Sequence, residues 1–222
     1  MFQYRKENYF QLQVGDRVFV SGNSSTSSNS GSYSQYVVSN STYVFPLHPR
    51  LSFAQGASLG VPFFTAYKAL ILRAETKPGE TVLIHGASGA VGTAAVQIAR
   101  ALGAIVVGTA GTKEGMDVVS KCGAHHVFNH NHKSYDKKMV EHLGTGFDVI
   151  IEHLANINLG HDVQMLKEKA RVMIVGCRGA VNINPRLENA DLIWLNILIL
   201  LKAPDVARSF YPRCISRKLH TL

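Results

Sequence analysis

From Thr81 the chain reads Thr81-Val82-Leu83-Ile84-His85-Gly86-Ala87-Ser88-Gly89-Ala90-Val91-Gly92, an apolar strand pattern that empties into a glycine-studded turn. A helical run over residues 91–102 follows, with Val91, Ala95, Ile98 and Leu102 on one face. Strand, small-residue turn and helix in that order are what a dinucleotide fingerprint requires, and Ala87, Gly89 and Gly92 take its three small-residue positions. Ala87 is expected at the tight turn. Gly89 would let backbone N–H groups approach a pyrophosphate, and Gly92 would let the helix pack closely on the strand. The helix N-terminus then offers unpaired donors and a positive dipole end. The same small residues could instead serve helix–sheet packing alone.

The grammar that follows narrows the fold. Strand patterns at residues 81–85, 104–109, 126–128, 147–151 and 171–175 alternate with helix patterns at 91–102, 113–121, 134–143 and 159–168. Gly103, Gly123 and Gly144 stand where helices should stop. Val82-Leu83-Ile84 and Val149-Ile150-Ile151 are apolar on successive residues, as a parallel sheet buried on both faces demands. This predicts an α/β protein built on a doubly wound, Rossmann-type domain. Upstream, residues 14–20, 33–38 and 43–45 read as short strands around a Ser/Gly/Asn-rich loop at 22–34, so the first fifty residues look all-β. Residues 53–72 read as helical segments broken at Pro62. The run 192–201 reads as a last strand or a helix, and 203–222 shows no core periodicity.

Composition removes several alternatives. Cys122, Cys177 and Cys214 lie far apart without metal-site spacing and read as free thiols in a reducing compartment. The first residues hold no apolar signal core, and the longest apolar run, 192–201, is about half a membrane span. A soluble cytoplasmic protein without a membrane segment is expected. The net charge of +8 raises nucleic acid as a partner. Much of it sits at the end, where Lys202, Arg208, Arg213, Arg217 and Lys218 face only Asp205, which also fits a solvated basic tail.

The chain resembles the medium-chain dehydrogenases/reductases of the zeta-crystallin, or NADPH:quinone oxidoreductase, type. The matching blocks include Val14-Gly15-Asp16-Arg17-Val18-Phe19, Gly60-Val61-Pro62-Phe63-Phe64-Thr65-Ala66-Tyr67 and His85-Gly86-Ala87-Ser88-Gly89-Ala90-Val91-Gly92. They continue through Gly108-Thr109-Ala110-Gly111-Thr112, Gly123-Ala124-His125-His126-Val127-Phe128-Asn129-His130 and Asp148-Val149-Ile150-Ile151-Glu152 to Ile183-Asn184-Pro185-Arg186. The resemblance implies a partial GroES-like β domain at residues 1–58, a Rossmann NADPH-binding domain at 59–201 and a divergent basic tail at 202–222. It implies that Ser88, Gly89, Ala90, Val91 and Gly92 form the pyrophosphate turn. Gly111 and His130 would lie near the adenosine, and Asn158, Val175, Gly176, Cys177 and Arg178 would face the cofactor at later strand ends. His130 also reads as a solvated loop histidine, and Asn158 as a helix N-cap before Leu159.

The form of the cofactor is argued from the residues. An NAD site usually places an acid about 20 residues past the glycines, on the ribose diol. Residues 105–113 contain none; Thr112 and Lys113 leave room for a 2′-phosphate and attract it, although Glu114 could reach back. NADPH is therefore expected. Reduction of quinones or related enones is the leading activity, with no catalytic acid or base nameable and no zinc ligands expected. Both ends depart from the family pattern, so a complete cofactor half with a truncated substrate half is expected. Alternatives are an NADPH-binding form with weak turnover, or binding to AU-rich messenger RNA, which the resemblance implies together with homo-oligomers.

Overall fold

The structure is a computed structural model that describes residues 12–21 and 33–179 and the backbone of 194–197. The Ser/Gly-rich stretch is thus largely outside it, as are residues 183–186 and 202–222. The described residues form two compact units, one ending at Val61 and one beginning at Pro62.

In the first unit, β1 (Val18–Val20) pairs antiparallel with β2 (Val44–Pro46), placing Phe19 opposite Phe45 with ring centroids 5.5 Å apart. Arg17 donates to the carbonyls of Pro49 and Leu51 at 3.0 and 2.6 Å and lies 4.5 Å over the Phe53 ring. The strand expected at 33–38 does not form: the segment is bend and irregular backbone, with Tyr33, Tyr36 and Val38 exposed.

Helix α1 (Phe53–Tyr67) passes through Pro62, where a break was expected, and continues as a π-helical turn over Lys68–Arg73. Proline removes one donor from the ladder. Apolar burial outweighs it, since Phe63, Phe64, Tyr67 and Leu70 are all buried, at about 1.5–3 kcal/mol for a side chain of that size.

The second unit is a six-stranded parallel sheet. Its strands are β3 (Thr81–Ile84), β4 (Ile105–Ala110), β5 (His126–Asn129), β6 (Phe147–Glu152), β7 (Leu166–Ile174) and β8 (Trp194–Ile197). The order is β5-β4-β3-β6-β7-β8, every pairing parallel. That is the doubly wound order, with its switch point between β3 and β6. Helices α2 (Ala90–Ala101), α3 (Lys113–Lys121), α4 (Tyr135–Leu143) and α5 (Ala155–Asp162) link the strands. Strand β3 is buried along its whole length, as its unbroken apolar pattern requires. Gly103, Gly123 and Gly144 end α2, α3 and α4 at φ of +80°, +105° and +65°.

The fourth expected helix is displaced. Residues 159–168 looked helical, but α5 closes at Asp162 and β7 opens at Leu166. The Leu-Lys-Glu-Lys-Ala stretch favours helix locally, yet Leu166 pairs with Phe147 across a bulge, and Lys169 absorbs the offset at φ +60°. Sheet pairing overrides local propensity there. Residues 194–197, left open between strand and helix, pair with β7 as a strand.

Candidate functional site

The turn after β3 is built around Gly86, not Ala87. Gly86 carries the left-handed backbone, φ +55°, and its carbonyl accepts from Gly89 N at 3.0 Å. Ala87 is buried, its N–H bound to Thr109 O at 2.7 Å, which locks the turn onto β4. Gly89 then serves as N-cap of α2 with no side chain to accept the first-turn N–H groups. Helix α3, by contrast, is capped by Thr112 Oγ1, which accepts from Gly115 N at 3.0 Å. So α2 opens with uncapped donors, and Ser88, Gly89 and Ala90 beside them are exposed. Gly92 is buried, and a Cβ there would stand 2.5 Å from Gly86 O and 2.6 Å from Ala87 Cα. Its geometry is that of a close-packing glycine.

The remaining sequence-chosen residues all follow carboxyl ends of parallel strands. Gly111 follows β4 beside His130, whose Nε2 a Cβ at Gly111 would approach to 2.8 Å. Lys113, exposed, opens α3. His130 stands just past β5 and lines a cavity, its ring contacting Thr109 Oγ1 at 3.4 Å. Asn158 lines the same cavity, but from inside α5; it is not the N-cap, and its Nδ2 donates to Glu152 Oε1 at 3.2 Å. Val175, Gly176, Cys177 and Arg178 follow β7. Gly176 lies against His153, and Arg178 N donates to Asn156 Oδ1 at 2.9 Å. The structure therefore brings His130 and Asn158 into one cavity and leaves the pyrophosphate turn and residues 175–178 on its flanks.

That cavity, about 560 Å³, opens at the switch point. Its floor is a cluster that the sequence reading missed. His85 at the end of β3 meets Asp162 Oδ1 at 2.8 Å through Nε2, with Glu152 Oε2 of β6 3.7 Å away. All three are buried. Glu152 Oε1 accepts from Leu154 N and Asn158, whereas Glu152 Oε2 and Asp162 Oδ2 have no hydrogen-bond partner among the described residues. The only signal in the sequence was a titratable residue directly after each of two apolar runs, His85 after Val82-Leu83-Ile84 and Glu152 after Val149-Ile150-Ile151.

Electrostatics follow from the burial. Burial works against a charged His85, but the hydrogen bond and charge of Asp162, helped by Glu152, outweigh it and raise its pKa. Burial pushes Glu152 up to about 7, opposed by His85 and reinforced by Asp162. Tyr135 is pushed up to about 12 by burial and then by the negative charge of Asp162, Asp136 and Glu152. His130 is lowered by burial and by the charge of His85. His153 is lowered by burial, although its Nδ1 donates to His85 O at 2.8 Å. The cluster is built to hold protons inside, not to present them.

A family model described as zinc-binding dehydrogenase matches residues 90–213, more than half of the chain. The chain belongs to this family. It is 49% identical to the quinone oxidoreductase of Homo sapiens over 181 residues, 81% of this chain and 54% of that protein. To the quinone oxidoreductase of Sus scrofa it is 50% identical, again over 81% of this chain and 54% of the relative. The chain thus spans about half the length of these curated relatives. Among solved structures, the quinone oxidoreductase from Thermus thermophilus, determined alone and in complex with NADPH, superposes with a TM-score of 0.68 at 28% identity, over 79% of this chain and 57% of that one. The CurK enoyl reductase superposes at 0.74 with 24% identity, covering 95% of this chain and 64% of that one, which speaks for the fold alone. Membership of the medium-chain dehydrogenase/reductase superfamily, with quinone oxidoreductases as relatives, agrees with the motif blocks. The family consists of nicotinamide-dependent oxidoreductases acting on small molecules. No helix among the described residues is long and apolar enough to cross a membrane.

The family description names zinc, and one group of three potential ligands occurs among the described residues: His85, Glu152 and Asp162, with ligand atoms within 4.8 Å of one another. It does not fit that metal. A catalytic zinc takes mostly N and S donors and keeps an open position. Here the single nitrogen already binds Asp162, no thiol takes part, and the two carboxylates are sealed from solvent.

Proposed function

We propose that this chain binds NADPH across the carboxyl ends of β3 and β4 and serves the NADPH-dependent reduction of quinones or related enones. The observation that carries the cofactor reading is the uncapped opening of α2 behind the Gly86–Gly89 turn, at the switch point of the sheet. A pyrophosphate there would take the first-turn N–H groups that no side chain claims. Ser88, Gly89, Ala90 and Val91 would hold it, with Gly92 keeping the helix close. Gly111 and His130 would border the adenosine. Lys113, exposed at the start of α3 with no acid at the end of β4, would attract a 2′-phosphate. Asn158 and residues 175–178 would flank the nicotinamide side.

When bound, the nicotinamide supplies the hydride. The chain's residues hold and orient it, and the buried His85–Asp162 pair fixes the end of β3 from which the turn departs. The quinone oxidoreductase relatives support quinones as the substrate class, and the Thermus thermophilus complex supports NADPH.

Calorimetry with NADPH and NADH tests the cofactor half of this reading. Tighter binding of NADPH is expected; equal or tighter binding of NADH overturns it. Steady-state NADPH oxidation with an ortho-quinone tests the activity. Binding with no oxidation above the uncatalysed rate would leave this chain a cofactor-binding form only.

A further inference from the structure

We propose a transition-metal site on the outer surface of the second unit, formed by His126 and His142 and suited to an imidazole-preferring divalent ion, copper(II) first. His126 opens β5 and His142 lies in the last turn of α4. Sixteen residues apart, they match no metal motif. The fold nevertheless brings His126 Nδ1 within 3.1 Å of His142 Nε2, ring centroids 4.7 Å apart and planes at 71°. As neutral rings the two share one proton between these nitrogens. Moving that proton to the outer ring nitrogen frees both lone pairs for a single ion.

The spacing suits this. At metal–nitrogen distances of about 2.0–2.1 Å, neighbouring ligands stand roughly 2.9 Å apart at a right angle and about 3.3 Å apart at a tetrahedral one. The observed separation falls between. His142 is also held by Phe128, edge to face, at 5.7 Å and 74°, so little ring freedom is left to lose. The pair lies in an accessible position, unlike the sealed His85 cluster. His125 next door supplies no third ligand, because its Nδ1 accepts from Val106 N at 2.9 Å and its Nε2 faces Arg100. Water would complete the shell.

The placement has a consequence. The segment joining β5 to α4, residues 130–134, lines the cavity throughout. An ion on His126 and His142 ties together the two elements that carry this segment, at the ends remote from it.

Copper(II) titration of the full, untagged chain tests the proposal, with His126→Gln, His142→Gln and, as a control, His48→Gln. Binding of one ion is expected, in the affinity order copper above nickel above manganese. Each of the first two variants should weaken it by about ten-fold or more, as loss of one of two ligands requires, while His48→Gln leaves it unchanged. Electron paramagnetic resonance should show coupling to two imidazole nitrogens in the native chain and to one in each single variant. His142 is exposed and His126 half-buried, and glutamine fits either position, so far-ultraviolet circular dichroism should match the native chain. Full-affinity binding in both variants would place the ion elsewhere and overturn the proposal. So would manganese binding as tightly as copper, or no binding at all.

Discussion

Gly89 and Gly92 stand three residues apart in one turn, and the structure separates their roles. A Cβ on Gly89 would meet only Gly86 O, at 3.4 Å, and its φ of −76° suits any residue. Gly89→Val should therefore fold normally while weakening NADPH binding by about ten-fold or more, about 1.4 kcal/mol or greater, because the side chain stands where the pyrophosphate must approach. Calorimetry on the folded variant checks this, and native affinity would place the pyrophosphate elsewhere. Gly92→Val should fail differently. Its Cβ would collide with backbone at 2.5 Å, costing stability by about 3 kcal/mol, visible in urea unfolding. The close-packing role of Gly92 was legible in the small-residue pattern, and the backbone around it agrees; the tight turn was not, because the left-handed residue is Gly86 and not Ala87.

The buried cluster gives a second residue-scale expectation. Glu152, ordinarily near 4.5, titrates at about 7 in the fold, so between those values the native state holds a proton that the unfolded chain has released. Stability contributed by that proton is complete below the ordinary carboxylate value and is lost as pH rises to about 7. His85, raised above 6.5, loses its contribution in the same direction at higher pH. Between pH 5 and 7 the native chain should lose about 2 kcal/mol relative to Glu152→Gln, which does not titrate. Parallel stability curves for the two proteins would contradict the cluster's protonation.

At the scale of elements, the strands and helices that were legible are those whose periodicity and sheet pairing agree. Strand β3 and helices α2 and α3 fall within a residue or so of the pattern that announced them. Helix α5 and strand β7 do not, because Leu166 and its neighbours favour helix locally and are claimed by Phe147. Arg171 helps hold this strand in place. Its guanidinium meets both carboxylate oxygens of Glu80 at 2.8 Å and donates to Ala74 O, joining β7 to the segments before β3. Burial tends to raise Glu80, but the hydrogen bond and charge of Arg171 outweigh it and keep its pKa low. The pair is largely covered, so Arg171→Ala should cost about 2–3 kcal/mol, between the exposed and fully buried limits. Chemical denaturation checks this, and a loss under about 1 kcal/mol would make the pair an ordinary surface contact.

For the molecule as a whole, a net charge of +8 admits two anionic partners, a nucleotide cofactor and RNA, which salt tells apart. A protein that neutralises 6–10 phosphates of a nucleic acid loses about 10³–10⁵ in affinity between 50 and 200 mM salt. The proposed cofactor site works otherwise. Its phosphate contacts would be backbone N–H groups at the opening of α2, fixed dipoles whose pull fades within a helical turn, with Lys113 at the start of α3 for the 2′-phosphate. The cavity beside it is walled by the buried ends of β3 and β6, where the His85–Asp162 pair is screened little by ions. NADPH affinity should therefore fall by about ten-fold or less over that range of salt. The thermal midpoint should track occupancy, rising by the equivalent of about 2.7 kcal/mol at one hundred times the dissociation constant at either salt concentration. A collapse of NADPH binding on the scale of a nucleic-acid complex would mean that surface charge, and not the glycine turn, holds the nucleotide.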